Sequence, residues 1–105
     1  MGTSGGSRLE RVLGDIVARA RRQLDPERIW LFGSHARGDA TRASDIDLAF
    51  EVRDPQRGNW AGFVTEANDE VPALVNLDLV DLGRCQQELA REIVRTGRVV
   101  YERDR

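Results

Sequence analysis

The sequence contains no lysine: all 16 basic residues among the 105 are arginine. Genomic base composition is the simplest account, and the consequence is chemical. Any basic group acting on a phosphate or a proton must be an arginine or His35, the only histidine. Cysteine is nearly absent as well. A single Cys85 excludes an internal disulfide and a cysteine-only zinc site, and it suits a reducing, cytoplasmic setting. No apolar run approaches the roughly 18 residues needed to span a membrane. The opening MGTSGGSR has no signal-peptide pattern and reads as a flexible leader over residues 1–7, with a single domain over residues 8–105. Positive charge in excess is also missing, the formal net charge being −2. A long nucleic-acid duplex is therefore a poor main partner, since neutralising its phosphates takes a basic surface. A nucleotide stays open, because one pocket can be basic or metal-loaded when the whole is not.

What is present is an ordinary globular composition, 40% hydrophobic and 32% charged, with clear periodicities. Leu9, Val12, Leu13, Ile16, Val17, Ala20 and Leu24 give a one-faced helix over Arg8–Leu24, weakened at Gly14. RIWLF (28–32) reads as a short buried strand ended by Gly33. Ser34 can cap a short helix over residues 35–40, closed by Gly38-Asp39. DIDLAFEV (45–52) alternates, with Asp45, Asp47, Ala49 and Glu51 on one face and Ile46, Leu48, Phe50 and Val52 on the other.

RDPQRGN (53–59) is turn chemistry, and Asn59 can cap a helix that carries Trp60, Phe63, Val64, Ala67 and Val71 and ends near Pro72. LVNLDLVDL (74–82) is a third strand, with Leu77 and Leu79 on one face and Asn76, Asp78 and Val80 on the other. Leu89, Ile93 and Val94 mark a last helix, starting near Gly83 and stopped by Gly97. RVVYE (98–102) is a short final strand or an extended tail, whose Val99-Val100 could pair along a sheet edge with another chain. The expected class is mixed α/β, a small sheet flanked by helices.

Two carboxylates at i and i+2 on a strand point the same way, roughly 6.5–7 Å apart at Cα. Asp45 and Asp47 so placed repel and are costly to desolvate. Mg²⁺ reverses that balance, since it takes hard oxygen ligands, commonly one or two carboxylates together with substrate phosphates. Alone, such a pair is commonly a solvated strand edge, and Gly33-Ser34 alone could be only a turn and cap. Together they are more specific. Four residues at this spacing arise by chance in about one chain in a thousand at ordinary residue usage. The strand–turn–helix setting also fits phosphate binding, in which a glycine lets phosphate oxygens approach the backbone while hydroxyl and N–H groups donate to them.

Gly33-Ser34, ten residues, then Asp45-Ile46-Asp47 resembles the signature of the DNA polymerase β-like nucleotidyltransferases. GSHARGDATRASDIDLAF as a whole is similar to the smallest of them, the minimal nucleotidyltransferases, with His35 where those usually carry arginine. The resemblance runs from about Arg28 to Tyr101. It implies a polymerase β-like nucleotidyltransferase fold, with a third carboxylate in a phrase matching LDLVDL, at Asp78. Alternation puts Asp81, the competitor, on the opposite face, as a strand-end or helix-capping residue.

The resemblance further implies Mg²⁺-dependent nucleotidyl transfer, with two ions held by Asp45, Asp47 and Asp78, all three serving as catalytic and metal-binding residues. ATP is the expected substrate. Gly33 and Ser34 cradle its phosphates, and Arg37 either adds to them or pairs with Asp39 or Asp45 on the surface. Ser44 either orients Asp45 or merely ends the loop, and Arg42 is read as solvated. His35 is read as non-catalytic, Trp30 and Trp60 as core residues with base stacking as the alternative, and Cys85 as a small buried hydrophobe on the last helix.

Proteins of this kind are typically paired with a small helical HEPN-type partner, and in toxin–antitoxin pairs they add AMP to a tyrosine of it. The leading expectation is therefore an adenylyltransferase antitoxin acting on such a partner. The alternatives are a non-catalytic antitoxin or complex subunit that neutralises the partner by binding, and a small-molecule nucleotidyltransferase.

Overall fold

The computed structural model describes residues 7–41, 43–53, 59–71 and 76–104. Four helices and four strands alternate along them: α1 (Arg8–Gln23), β1 (Arg28–Phe32), α2 (Ser34–Arg37), β2 (Ile46–Glu51), α3 (Trp60–Glu70), β3 (Leu77–Asp81), α4 (Gln87–Thr96) and β4 (Arg98–Glu102). The strands form one sheet in the order β3-β2-β1-β4. β1 lies antiparallel to both β2 and β4, whereas β2 and β3 are parallel. A parallel pair needs a crossover, and α3 lies within the connection that supplies it.

Periodicity decides what each element buries. Ser7 caps α1, its hydroxyl accepting the Glu10 N–H at 3.0 Å. Val12, Ile16 and Ala20 then recur on one face and are buried. They meet Ile29 and Leu31 of β1 and Ile46, Leu48 and Phe50 of β2 in a single core, which Phe63 and Ala67 of α3 complete. Phe50 packs edge-on against Phe63 at 5.1 Å and against Trp60 at 5.6 Å, the geometry that aromatic quadrupoles favour. Asn59 caps α3 as expected, accepting the Gly62 N–H at 3.0 Å. Arg19 ties α1 to α3 through Glu66 and Glu70. Among the described residues no helix is long and apolar enough to cross a membrane.

The second face of the sheet is covered in part by α4, anchored by the buried Ile93. Ala49, expected on the same face as the aspartates, is fully buried. The chain leaves α4 at Gly97, where an added Cβ would lie 2.5 Å from the Ile93 carbonyl oxygen and 3.1 Å from that of Leu31. That tight turn sends β4 back along β1, so Val99 pairs with Trp30 of its own chain.

Three local expectations are corrected. The short helix is Ser34–Arg37, and Gly33, not Ser34, occupies its N-cap position, with no side-chain cap bond. The last helix starts at Gln87, because Asp81 holds the preceding turn. Its carboxylate accepts the Gly83 N–H at 3.0 Å, and its carbonyl accepts the N–H groups of Arg84 and Cys85. Cys85 therefore sits in that turn rather than on the helix, half-buried, its thiol 3.5 Å from the Leu82 carbonyl. Most of the expected 53–59 turn, together with Pro72 and Arg42, lies outside the described residues.

Phe63, fully buried under Phe50 and Trp60, tests the core. Phe63→Ala is expected to cost about 3–5 kcal/mol, transfer and cavity terms together. Urea unfolding followed by tryptophan fluorescence should show the midpoint lowered or the folded baseline lost.

Candidate active site

β1 and β2 pair so that Phe32, the last residue of β1, stands opposite Asp47. The chain turns immediately afterwards, at Gly33. This residue has φ +75° and ψ −152°, a region that only glycine occupies without strain. It is also crowded: a Cβ there would lie 2.1 Å from Asp47 Oδ2. The Gly-Ser turn is thus packed directly against the second aspartate of the acidic pair, which the ten-residue spacing alone does not reveal.

The parallel pairing of β2 with β3 sets Asp47 opposite Asp78. Neighbouring strands lie about 4.8 Å apart, so the two side chains share one face at close quarters. Asp45 stands two residues earlier, exposed, just ahead of β2. Asp47 is half-buried, and its carboxyl is pushed up from 3.8 to about 6. Burial is the largest cause, followed by the charges of Asp78 and Asp45 and a hydrogen bond with Asp78, while His35 partly offsets them. The sequence assigned Asp78 to this site and Asp81 to the strand end. Asp81 pairs in register with Phe50, three residues further along the sheet, and its carboxylate is held by Gly83 and Arg84.

The supporting residues divide. Arg37 is exposed and its guanidinium lies 3.3 Å from Asp39, the surface pair foreseen as one of its two roles. Ser44 Oγ accepts the Thr41 N–H at 2.8 Å, which closes the loop and does not orient Asp45. Trp60 joins the core, and Trp30 lies half-buried on the α4 side of the sheet, with its indole N–H directed at Glu51. His35 is the residue whose place the sequence understated. It stands near enough to Asp47 for its charge to favour the carboxylate, although helix periodicity gave no sign of that.

Among the described residues no group of three or more histidine, cysteine, aspartate or glutamate side chains is placed to hold a metal ion as it stands. Asp47 and Asp78 face each other with Asp45 beside them, an all-oxygen donor set whose mutual repulsion a divalent cation would relieve. That donor chemistry fits Mg²⁺ completed by phosphate oxygens, the way this ion is usually bound.

Comparison with known proteins gives the class first. The family described as Polymerase beta, Nucleotidyltransferase matches residues 15–105, and the chain belongs to this family of nucleotidyltransferases. Narrower relatives follow. Over 88 residues it is 33% identical to the "Probable protein adenylyltransferase MntA" of Haemophilus influenzae, spanning 83% of this chain and 76% of that protein. A chain of a crystal structure of the MntA-HpeT toxin-antitoxin, in a tyrosine-to-alanine variant, superposes with a TM-score of 0.68 at 26% identity, over 87% of this chain and 72% of the other. A chain of a toxin-antitoxin crystal structure with AMP-PNP superposes at 0.66 and 26% identity, over 86% and 73% respectively. The chain is thus a homologue of MntA on a polymerase β-like fold.

Two outcomes test the geometry. Gly33→Ala must move either the turn or Asp47; the strained backbone costs about 1–3 kcal/mol. The variant should melt lower than wild type and lose nucleotide binding, measured by calorimetry. The second concerns pH. Between pH 3.8 and about 6 the folded chain keeps a proton on Asp47 that the unfolded chain has released, so this group's contribution to stability falls as pH rises through that window. Asp47→Asn, which cannot ionise, should therefore raise Tm above about pH 6 in metal-free buffer. The gain should vanish below about pH 4, as thermal scans by circular dichroism would record.

Proposed function

We propose that this protein transfers AMP from ATP to a hydroxyl, that of a tyrosine, on a small helical HEPN-type partner, and so acts as the antitoxin of a toxin–antitoxin pair. One observation carries the chemistry: Asp47 and Asp78 stand in register on adjacent strands, with Asp45 beside them and Gly33 in contact with Asp47. The choice of AMP and of a protein acceptor is supported by the adenylyltransferase name of the 33% identical relative and by the toxin–antitoxin setting of the structural neighbours.

The residues divide the work. Gly33 leaves room for phosphate oxygens at the backbone, and the Ser34 hydroxyl donates to them. Arg37 reaches them by exchanging its exposed pair with Asp39 for a charge-assisted bond to phosphate. Asp45, Asp47 and Asp78 would hold two Mg²⁺ ions, which when bound neutralise phosphate charge and make the acceptor hydroxyl more acidic. Asp78 is exposed at the site and can take the proton of the incoming hydroxyl. The hydroxyl oxygen bonds to the α-phosphorus, the bond from that phosphorus to the bridging oxygen of the β-phosphate breaks, and pyrophosphate departs. The carboxylates, which burial and their mutual charge disfavour, are the groups that a bound cation would satisfy.

The experiment is to incubate the chain with its helical partner, ATP and Mg²⁺ and to follow the partner's intact mass. Addition of AMP units is expected with wild type. Asp47→Asn and Asp78→Asn should each lower the rate by at least about a thousandfold, the scale on which loss of an electrostatic catalytic group acts. Near wild-type transfer by Asp47→Asn would refute the site. A tight complex without any mass change would make the chain an inhibitor by binding alone.

A further inference from the structure

The sheet has two outer strands, β3 and β4, and their edges differ. β4 carries a bulge: Ile29 pairs with Tyr101 and Trp30 with Val99, so Val100 is left out of the ladder. A bulge twists an edge away from further pairing, which disfavours the contact with another chain expected of Val99-Val100. β3 has no such break. It pairs with β2 in unbroken parallel register, and no described strand lies on its other side.

That register fixes where the main-chain groups of β3 point. The Ile46 N–H donates to the Asn76 carbonyl and the Leu82 N–H to the Phe50 carbonyl, both at 3.0 Å. Alternate residues of a strand bond to the same neighbour. Asn76, Asp78, Val80 and Leu82 therefore serve β2, while the N–H and C=O groups of Leu77 and Leu79 point outward. Asp81, the next outward position, already gives its carbonyl to Arg84 and Cys85, which ends the open edge. The Leu77 and Leu79 side chains pack against the core and hold the strand. Between them in sequence, Asp78 is exposed on the opposite face, the face of the candidate site.

We propose that an extended segment of the protein acceptor adds to this edge as an antiparallel fifth strand and so brings its hydroxyl to Asp78. This docking mode rests on the nucleotidyl-transfer reading and specifies how the acceptor is held. In an antiparallel addition Leu77 and Leu79 form the hydrogen-bonded pairs. Asp78 then takes a non-hydrogen-bonded position, where the facing Cα lies about 4.5 Å away and side chains come closest. The residue facing Asp78 carries the hydroxyl. Its two neighbours lie beside Leu77 and Leu79 and are apolar. Charge selects the occupant: Asp45, Asp47 and Asp78 make the site face acidic and β3 carries no basic side chain, so the segment is neutral or basic. A second copy of this chain would bring acidic Asp78 and Asp81 to the same edge, and like charges facing across a sheet repel. Main-chain bonds supply the affinity of such a strand, and its alternating side chains supply the selectivity.

Amide hydrogen exchange tests this, read by NMR on the isotope-labelled full chain with Mg²⁺ and a non-hydrolysable ATP analogue, with and without the helical partner. In the free chain the Leu77 and Leu79 amides should exchange faster than those of Asp78 and Val80, and in the complex they should slow at least about tenfold. Leu79→Pro removes one outward donor, a change that an edge strand tolerates, and Leu79→Ala makes a comparable loss of packing while keeping the amide. Leu79→Pro should raise KM for the partner about three- to tenfold over Leu79→Ala, the scale of one main-chain hydrogen bond, with ATP binding unchanged. Leu77 and Leu79 amides that stay fast in the complex, or equal KM in the two variants, would overturn the inference; AMP transfer by the same preparation would leave the nucleotidyl-transfer reading standing. Protection that rises with chain concentration in the absence of partner would assign the edge to a second copy and overturn it. Wild type that neither binds ATP nor transfers AMP would overturn the underlying reading as well.

Discussion

Two carboxylates opposite each other on adjacent parallel strands repel, and the fold holds them there regardless. Asp47 cannot turn away: it is half-buried, it faces Asp78 across the β2–β3 ladder, and the Gly33 turn closes over it from β1. Burial first, and then the charges of Asp78 and Asp45, raise its carboxyl to about 6. A group held in this way lowers the stability of the free chain and favours whatever neutralises it. In the catalytic reading proposed above, a bound cation is the partner that this chemistry favours.

The rest of the molecule is arranged to sustain that placement. One core, built by α1 and α3 on a single face of the sheet, fixes β1 and β2 through Ile29, Leu31, Ile46, Leu48 and Phe50. The alternation that buries those residues turns Asp47 to the other face. α4 then covers the middle of that second face through Ile93 and leaves its acidic end open. Asp45 and Asp78 are exposed at that end.

The neighbouring groups show how a chain without lysine partitions its charge. Most of the arginines described in ion pairs serve the scaffold: Arg19 clasps α1 to α3, Arg28 bridges β2 and β4 through Glu51 and Glu102, and Arg103 fastens the C-terminal segment to Asp25. Arg8, which forms no ion pair among the described residues, lines a cavity with Leu9, His35 and Ile46.

The sequence by itself determined most of the elements and made half of the candidate site legible. Apolar periodicity is a local property, so α1, β1, β2 and α3 follow from spacing alone, and Gly33, Ser34, Asp45 and Asp47 were legible because they lie within fifteen consecutive residues. Asp78 was reachable by alternation and by family resemblance, which separated it from Asp81. Local signals misled where a neighbour's hydrogen bonds compete: Asp81 delays the start of α4, and Gly33 takes the cap position expected of Ser34. Only the tertiary structure decided that Asp47 meets Asp78 in register, that Gly33 has no space for a side chain, that Ala49 is buried, and that Arg8 and His35 share a cavity. Each of these depends on pairing between segments distant along the chain, and such pairing is set by long-range packing that no window of residues contains.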